Sequence, residues 1–514
     1  MPSSSLVPPL RPSSSSSSSS AAVAQRIIHA LNTCTSPSEL RRALSLLLVR
    51  RLVPPSPSVA AAFVAASLRL RLLGPALSLL RLLPRPHPFL FNSLLRSLPT
   101  SRPCLSPLLF SRMLRASSPP NRFTFPLLLS ALSEPRHGLM VHTHVVKSGF
   151  GRDLFVRNSL LRLYCCREGD MAAAHQLFDE MPQRDVVAWT TLITGYKNCG
   201  RPDDAIARFS LLMELSASGA APAPNRVTMV GALGACAARG AVDVGARIHD
   251  YVRARRWELD VVLGTALVDM YAKCGAAEAA LAVFGAMPER SAGTWNALIV
   301  GLARARGGAE ALRWFARMEE EEEEEGEAAP DAATITAVLS ACAHSGLVDA
   351  GVAIFGRAAR GGYAFGAPTV RHYGCVVDML GRAGRVAEAA AVVRAMPCAP
   401  SAAVWGALLG ACRACGEPQL GAAAARGLVE CEPWRAAHYV VAANAAAEAG
   451  RWGDAAEAWR AIRVQGRRKD AAWSLAAADS DDADAHKDDV RSLTATTGPM
   501  ESDVDEVSNV SDVY

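Results

Sequence analysis

The spacing of apolar and polar positions divides the chain into two alternating kinds of helical segment. One is an apolar stretch of about three turns that ends near a glycine, as at Gly200, Gly240, Gly275 and Gly346. A glycine there suits the left-handed conformation that closes many helices. The other kind is amphipathic, as over Asp203–Leu212 or Ala277–Phe284. A Pro, Asn or Asp then resets the chain for the next pair. Neither helix can bury its apolar stripe alone, so the pairs must stack around one continuous core. The pattern predicts pairs over 88–121, 122–153, 154–185, 186–225, 226–260, 261–291, 292–331, 332–369, 370–401, 402–435 and 436–470. Two degenerate pairs are expected near 26–58 and 59–87.

The segments are also related in sequence. Asn158-Ser-Leu-Leu-Arg-Leu-Tyr-Cys-Cys-Arg-Glu-Gly169 returns as Thr265-Ala-Leu-Val-Asp-Met-Tyr-Ala-Lys-Cys-Gly275. Met181-Pro-Gln-Arg-Asp185 returns as Met287-Pro-Glu-Arg-Ser291, and the Trp189 segment Val187–Tyr196 returns as Gly293–Leu302. Gly231-Ala-Leu-Gly-Ala-Cys236 matches Ala337-Val-Leu-Ser-Ala-Cys342. Three cassettes in fixed order form a higher-order unit, the mark of a repeat architecture.

Composition narrows the class. Half of the residues are hydrophobic but only 6% are aromatic, which suits closely packed short helices better than a β-sandwich. The net charge of +5 conceals a polarity: residues 1–200 carry 23 Lys/Arg against 8 Asp/Glu, and 475–514 carry 2 against 11. A basic body with an acidic tail fits a surface for a polyanion. The thirteen cysteines are scattered singly, which points to a reducing compartment. The longest apolar runs, such as Val59–Leu68, are shorter than the about 20 residues a bilayer needs, so no membrane association is expected. Met1–Ser38 has no acidic residue, contains Arg11 and Arg26, and includes the serine run Ser13–Ser20. That is the composition of a transit peptide to the mitochondrion or, alternatively, the chloroplast; a low-complexity leader with no address has the same composition.

These cassettes resemble the plant pentatricopeptide-repeat proteins of the PLS subclass, over nearly all of 26–470. Tyr271-Ala-Lys-Cys-Gly275 and the Met-Pro-Glu-Arg pieces resemble S repeats, and Val338–Val348 resembles a final L repeat. Tyr373 with Val377-Asp-Met-Leu-Gly-Arg-Ala-Gly-Arg385 resembles a final S repeat, and Val404–Arg413 and Gly450-Arg-Trp452 resemble E motifs. The resemblance implies an all-α, right-handed superhelical solenoid of helix-turn-helix repeats with disordered termini. Its parts would be a leader over 1–25, the repeat array over 26–401, E-type motifs over 402–470 and an acidic tail over 471–514. A tetratricopeptide-type scaffold would want Trp-x-x-Leu-Gly-x-x-Tyr in each first helix, a context that Trp189 and Trp295 lack.

The resemblance further implies binding of single-stranded organellar RNA, one repeat per nucleotide, with the fifth and last residues of a repeat reading one base edge. Carried over, Asn92 with Asn121 implies a pyrimidine, Asn158 with Asp185 implies U, and Thr190 with Asn225 implies A. Thr265 with Ser291 implies A, and Asn296 with Asp331 implies U; Pro126 with Asp153 and Val230 with Asp260 leave their bases unassigned. Phe89, Phe123, Phe155, Val187, Val227 and Val262 are candidates for sandwiching the bases, a pattern broken by Gly293. Each Asn or Thr, taken singly, serves equally as a helix cap or a solvated polar residue. In the family's register, repeat 370–401 sits four nucleotides before an edited cytidine, so U is expected at −6, A at −7 and −9, U at −10 and a pyrimidine at −12.

The function so implied is site recognition for organellar C-to-U editing, with a deaminase recruited in trans through 402–470. An RNA stabilisation or splicing factor, and a protein scaffold, are the other readings. No enzyme is expected, because a zinc deaminase needs His-x-Glu and Pro-Cys-x-x-Cys. No histidine has Glu two residues on, and Pro397-Cys398 lacks the second Cys. No metal or cofactor is expected either. Cys412-Arg-Ala-Cys415 has no second pair, and the i, i+2 positions of His142 and His144 point apart on a helix. The run Glu319–Glu325 would repel RNA in a groove and is expected at a solvated edge.

Overall fold

The computed structural model describes residues 18–49, 57–83, 85–98, 105–132, 135–165, 170–325 and 328–464. The expected leader before residue 18, Gly169 and the acidic tail lie outside the described residues. The described residues form helices and no strand, and they divide into two compact bodies, 1–345 with 363–365 and 346–362 with 366–514.

In the first body the helices run in pairs. They are α1 (Ser18–Thr33) and α2 (Pro37–Val49), α3 (Pro57–Arg69) and α4 (Leu73–Leu82), α5 (Pro88–Ser97) and α6 (Leu105–Arg115), and α7 (Thr124–Ala131) and α8 (Pro135–Lys147). There follow α9 (Leu154–Tyr164) and α10 (Met171–Asp179), α11 (Val186–Asn198) and α12 (Pro202–Ala217), and α13 (Arg226–Arg239) and α14 (Val242–Ala254). The body closes with α15 (Val261–Lys273) and α16 (Ala277–Ala286), α17 (Ala292–Arg306) and α18 (Gly308–Glu325), and α19 (Ala332–Ser345). The second body holds α20 (Val348–Ala359), α21 (Val370–Arg382) and α22 (Val386–Arg394), α23 (Ala402–Ala414) and α24 (Pro418–Cys431), and α25 (Ala436–Glu448) and α26 (Trp452–Val464). Helix α1 starts at Ser18, ahead of the array's expected start at 26.

Local chemistry sets where these helices begin and end. Asp153, Asp185, Asn225, Asp260 and Ser291 are N-caps whose side chains accept the amide three residues on. Gly200, Gly240, Gly275 and Gly346 all have φ between 68° and 79°, the left-handed stop expected of them. The Met-Pro-x-Arg cassette is a second-helix stop. Met181 and Met287 are buried, while Arg184 and Arg290 turn back so that Nε donates to the Phe178 and Phe284 carbonyl oxygens at 3.1 and 3.3 Å. The same guanidiniums lie 5.1 and 4.7 Å over those phenylalanine rings, and each ring meets the first-helix tryptophan of the next repeat, Trp189 or Trp295, edge-on at 4.7 Å.

First helices pack directly on one another from α5 through α7, α9, α11, α13, α15 and α17 to α19, and the second helices lie against them. A Cβ on Gly195 would come 2.6 Å from the Cys165 Cβ, and one on Gly301 would come 2.2 Å from the Ala272 Cβ. Glycine is therefore what allows α11 onto α9 and α17 onto α15. The longest second helices are α12 and α18, of 16 and 18 residues, in the two longest repeats. In α18, Glu321 turns inward between Arg290, at 3.3 Å, and Arg317, at 2.9 Å. In the second body α24 packs on both α23 and α25, with small residues Gly421, Ala422, Ala424 and Ala425 buried. No described helix is long and apolar enough to cross a membrane.

Candidate nucleic-acid interface

Stacking the first helices of the first body brings their early residues into one row. In the six repeats from 88–121 to 261–291 the second residue is apolar and exposed: Phe89 at 56%, Phe123 at 57%, Phe155 at 69%, Val187 at 51%, Val227 at 64% and Val262 at 65%, whereas repeat 292–331 has Gly293 there. An apolar side chain left in water at the same place in six consecutive repeats is not accounted for by core packing. Phe123 sits at the N-cap of α7, with the Arg122 guanidinium 4.8 Å over its ring, whereas the other five lie inside their first turns.

Three residues along, the polar side chains meet their partners. Asn158 Nδ2 donates to both carboxylate oxygens of Asp185, at 3.2 and 3.1 Å. Asn296 Nδ2 donates to Asp331 Oδ1 at 3.2 Å, and Asn92 Nδ2 donates to Asn121 Oδ1 at 3.2 Å. In all three asparagines Oδ1 is buried without a hydrogen-bond partner. The last residues are caps as well as partners: Asp185 Oδ1 accepts the Ala188 amide at 2.8 Å and Asp331 Oδ1 that of Thr334 at 2.8 Å. Capping and pairing coexist because a carboxylate offers several lone pairs. Burial pushes the Asp331 carboxyl up, but the Thr334 amide and the Asn296 amide outweigh it and hold it below the usual carboxylate value.

Thr190 and Asn225 are not in direct contact through the threonine hydroxyl. Thr190 Oγ1 lies 2.7 Å from Thr228 Oγ1, and Thr228 in turn is 2.9 Å from Asn225 Oδ1. Thr265 is arranged likewise, 2.7 Å from Thr294 Oγ1, with Ser291 Oγ 3.1 Å beyond. Thr228 and Thr294 are fully buried and were not among the residues singled out from the sequence, although their Asn-x-x-Thr and Ser-x-x-Thr spacing is that of a capping box. In repeat 226–260 the last residue, Asp260, caps α15 and pairs with Arg226 at 2.6 Å; the Leu263 amide, and then Arg226, hold its carboxyl below the usual value. In repeat 122–153, Asp153 caps α9 and Pro126 has no donor to offer it.

Other sequence candidates resolve into packing. His142 Nδ1 meets the Tyr164 hydroxyl at 2.7 Å, and His175 with Tyr196 and His249 with Tyr271 repeat the contact at 3.1 Å. Among the described residues no group of His, Cys, Asp and Glu could hold a metal ion. Cys236 and Cys342 are buried at matching places three repeats apart, which pushes their thiols up to about 12 and about 11.

Four segments, 158–186, 187–215, 265–291 and 293–322, match the PPR repeat family. A putative mitochondrial pentatricopeptide repeat-containing protein of Arabidopsis thaliana is 38% identical over 348 residues, 67% of this chain and 54% of the relative. A second putative member from the same plant is 34% identical over 421 residues, 75% of this chain and 88% of the relative. A chloroplastic one is 38% identical over 337 residues, 64% of this chain and 37% of the relative. The chain thus spans about half the length of the first of these relatives, and about a third of the last. Among solved structures, the pentatricopeptide repeat protein PPR10 in complex with an 18-nt psaJ RNA element superposes with a TM-score of 0.60 at 18% identity, over 87% of this chain and 64% of that one. With its stacked helical hairpins, and a relative covered almost end to end at this identity, the chain belongs to the pentatricopeptide repeat proteins.

Proposed function

We propose that the protein binds single-stranded RNA sequence-specifically, one repeat per nucleotide, and marks sites for C-to-U editing in a plant organelle. The observation that carries the reading is the register within the first body. Exposed Phe89 and Phe155 stand three residues before Asn92 and Asn158, and the amides of these two and of Asn296 are each held by the last residue of their own repeat. An apolar surface beside a fixed amide is what an unstacked base needs for stacking and edge recognition. PPR10, of the same fold, carries RNA in its crystal structure. Relatives named mitochondrial and chloroplastic support an organelle as the place of action.

The PLS alternation and the E-like motifs over 402–470 favour editing over RNA stabilisation. In this reading the deaminase is supplied in trans through that region. Trp434, Trp452 and Trp459 are 63%, 71% and 36% exposed there, and exposed tryptophan is the residue type that dominates protein interfaces. The test is sequencing of mitochondrial and chloroplast transcripts from a plant lacking the protein. Loss of editing at cytidines preceded by U at −6, A at −9 and U at −10 is expected. Normal editing with one transcript unspliced or truncated would replace editing by a processing role.

A further inference from the structure

In the asparagine repeats the last residue holds the amide of the fifth, but the fifth residue of repeat 226–260 is Val230, which has no polar group to hold. Its last residue, Asp260, takes a different donor. Oδ1 accepts the Leu263 amide at 2.8 Å, as the cap of α15, and Oδ2 accepts from the Arg226 guanidinium at 2.6 Å. Arg226 is the first residue of the same repeat, and its guanidinium also lies 6.0 Å from the centroid of the Trp257 ring. Both members of the pair are nearly half exposed, at 45% and 43%. Arg226 directly precedes the exposed Val227, and Asp260 stands two residues before the exposed Val262. The guanidinium is thus held, among the residues of the exposed row, by the carboxylate that in repeats 154–185 and 292–331 holds an asparagine.

What the carboxylate holds decides what the row offers a base. An asparagine amide has both donor and acceptor, whereas a guanidinium has five N–H donors, no acceptor and a permanent charge. One N–H of Arg226 goes to Asp260, and the others have no acceptor among the described residues. Two N–H groups side by side in one plane match two adjacent acceptors. Guanine presents such a pair as O6 and N7, but adenine has an amine in place of O6, which sets donor against donor. The ion pair restricts the plane of the fork, and the Asp260 carboxylate offsets the charge that would otherwise draw it to a phosphate.

We propose that Arg226, held by Asp260, is the base-reading side chain of repeat 226–260 and selects guanine over adenine at the nucleotide facing it. The proposal rests on the RNA-reading function above and adds to it a contact that Val230 cannot make. Repeat 122–153 supplies the contrast. It too begins with an arginine and ends with an aspartate, but the Arg122 guanidinium lies 4.8 Å over the Phe123 ring, while Asp153 caps α9 through the Val156 amide at 3.1 Å. With no carboxylate to orient its fork, Arg122 does not discriminate between the two purines.

The test uses the full chain and the single-stranded RNA 5′-CCUAGAUCC-3′, read by fluorescence anisotropy. Its second, third and fifth nucleotides face repeats 122–153, 154–185 and 226–260. Guanine at the fifth nucleotide should bind about five-fold or more tighter than adenine, and 7-deazaguanine, which lacks N7, should lose most of that advantage. At the second nucleotide guanine and adenine should bind alike. Arg226→Lys keeps the charge but not the planar fork, so it should bring the two purines to equal affinity at the fifth nucleotide and leave the preference for U at the third unchanged. An exposed ion pair adds little to stability, so this variant should melt with the wild type. If no base change at the third or the fifth nucleotide alters affinity, the RNA-reading function itself is wrong. If U is preferred at the third nucleotide but adenine or 7-deazaguanine binds at the fifth as well as guanine, or if Arg226→Lys weakens the guanine and adenine RNAs equally, the Arg226 assignment alone is wrong.

Discussion

Asp185 has two duties that one substitution separates. Its carboxylate caps α11 through the Ala188 amide at 2.8 Å, and it holds the Asn158 amide with two contacts of 3.2 and 3.1 Å. Serine is as good an N-cap as aspartate, but its hydroxyl lies one atom short of the carboxylate oxygens and leaves Asn158 free to rotate. Asp185→Ser should therefore keep thermal stability within a few tenths of a kcal/mol. The lost bond is to a charged acceptor at a half-buried position, which sets the loss of uracil preference at about 1–2 kcal/mol, or about 5- to 30-fold. Asp185→Ala also removes the cap and should cost roughly a further 1 kcal/mol of stability. The assay is anisotropy with RNAs differing only at the nucleotide facing repeat 154–185, alongside thermal melts. An unchanged uracil-to-cytosine ratio in Asp185→Ser would refute the pairing, and equal melting points for the serine and alanine variants would refute the cap.

Phe155 is 69% exposed, so Phe155→Ala should leave the melting temperature unchanged while weakening RNA binding by about 1–3 kcal/mol if a base stacks on it; equal affinity in a titration would remove it from the interface. Gly301→Ala would drive a Cβ to 2.9 Å from the Ala272 Cα, a backbone atom that cannot step aside. It should destabilise by about 1–3 kcal/mol, whereas Gly285→Ala, with nothing within 4 Å, should melt no lower than wild type. Burial, and then Arg253, lower the His249 pKa below its ordinary value, against a smaller upward pull from Asp250. The neutral ring is thus the folded form, and its contribution is full above about pH 6.5 and declines as pH falls through the lowered folded value. Phe355 occupies the matching place in α20, edge-on to Tyr373 at 5.0 Å. His249→Phe should accordingly flatten the loss of melting temperature between neutral and mildly acidic pH, at a cost near neutrality of about 1 kcal/mol for the unpartnered Tyr271 hydroxyl; an unchanged acid slope would exclude His249 as its source.

What the sequence determined by itself is whatever depends on a few neighbouring residues. The helical period places the apolar stripes, Asp, Asn and Ser start helices at Asp185, Asn225 and Ser291, and glycine stops them at Gly200 and Gly275. The second residues, from Phe89 to Val262, came from the family resemblance, and all but Phe123 lie two residues after the N-cap of their helix. The tertiary structure alone decided which side chains meet across repeats. An asparagine amide extends far enough to join Asp185 or Asp331, whereas the shorter threonine, drawn back toward the carbonyl four residues before it, stops at Thr228, 38 residues away. Asp260 turned to Arg226, and Glu321 found its place between Arg290 and Arg317. Such contacts form or fail over differences of an ångström in side-chain reach and helix separation, and those distances are set by how the first helices pack on one another.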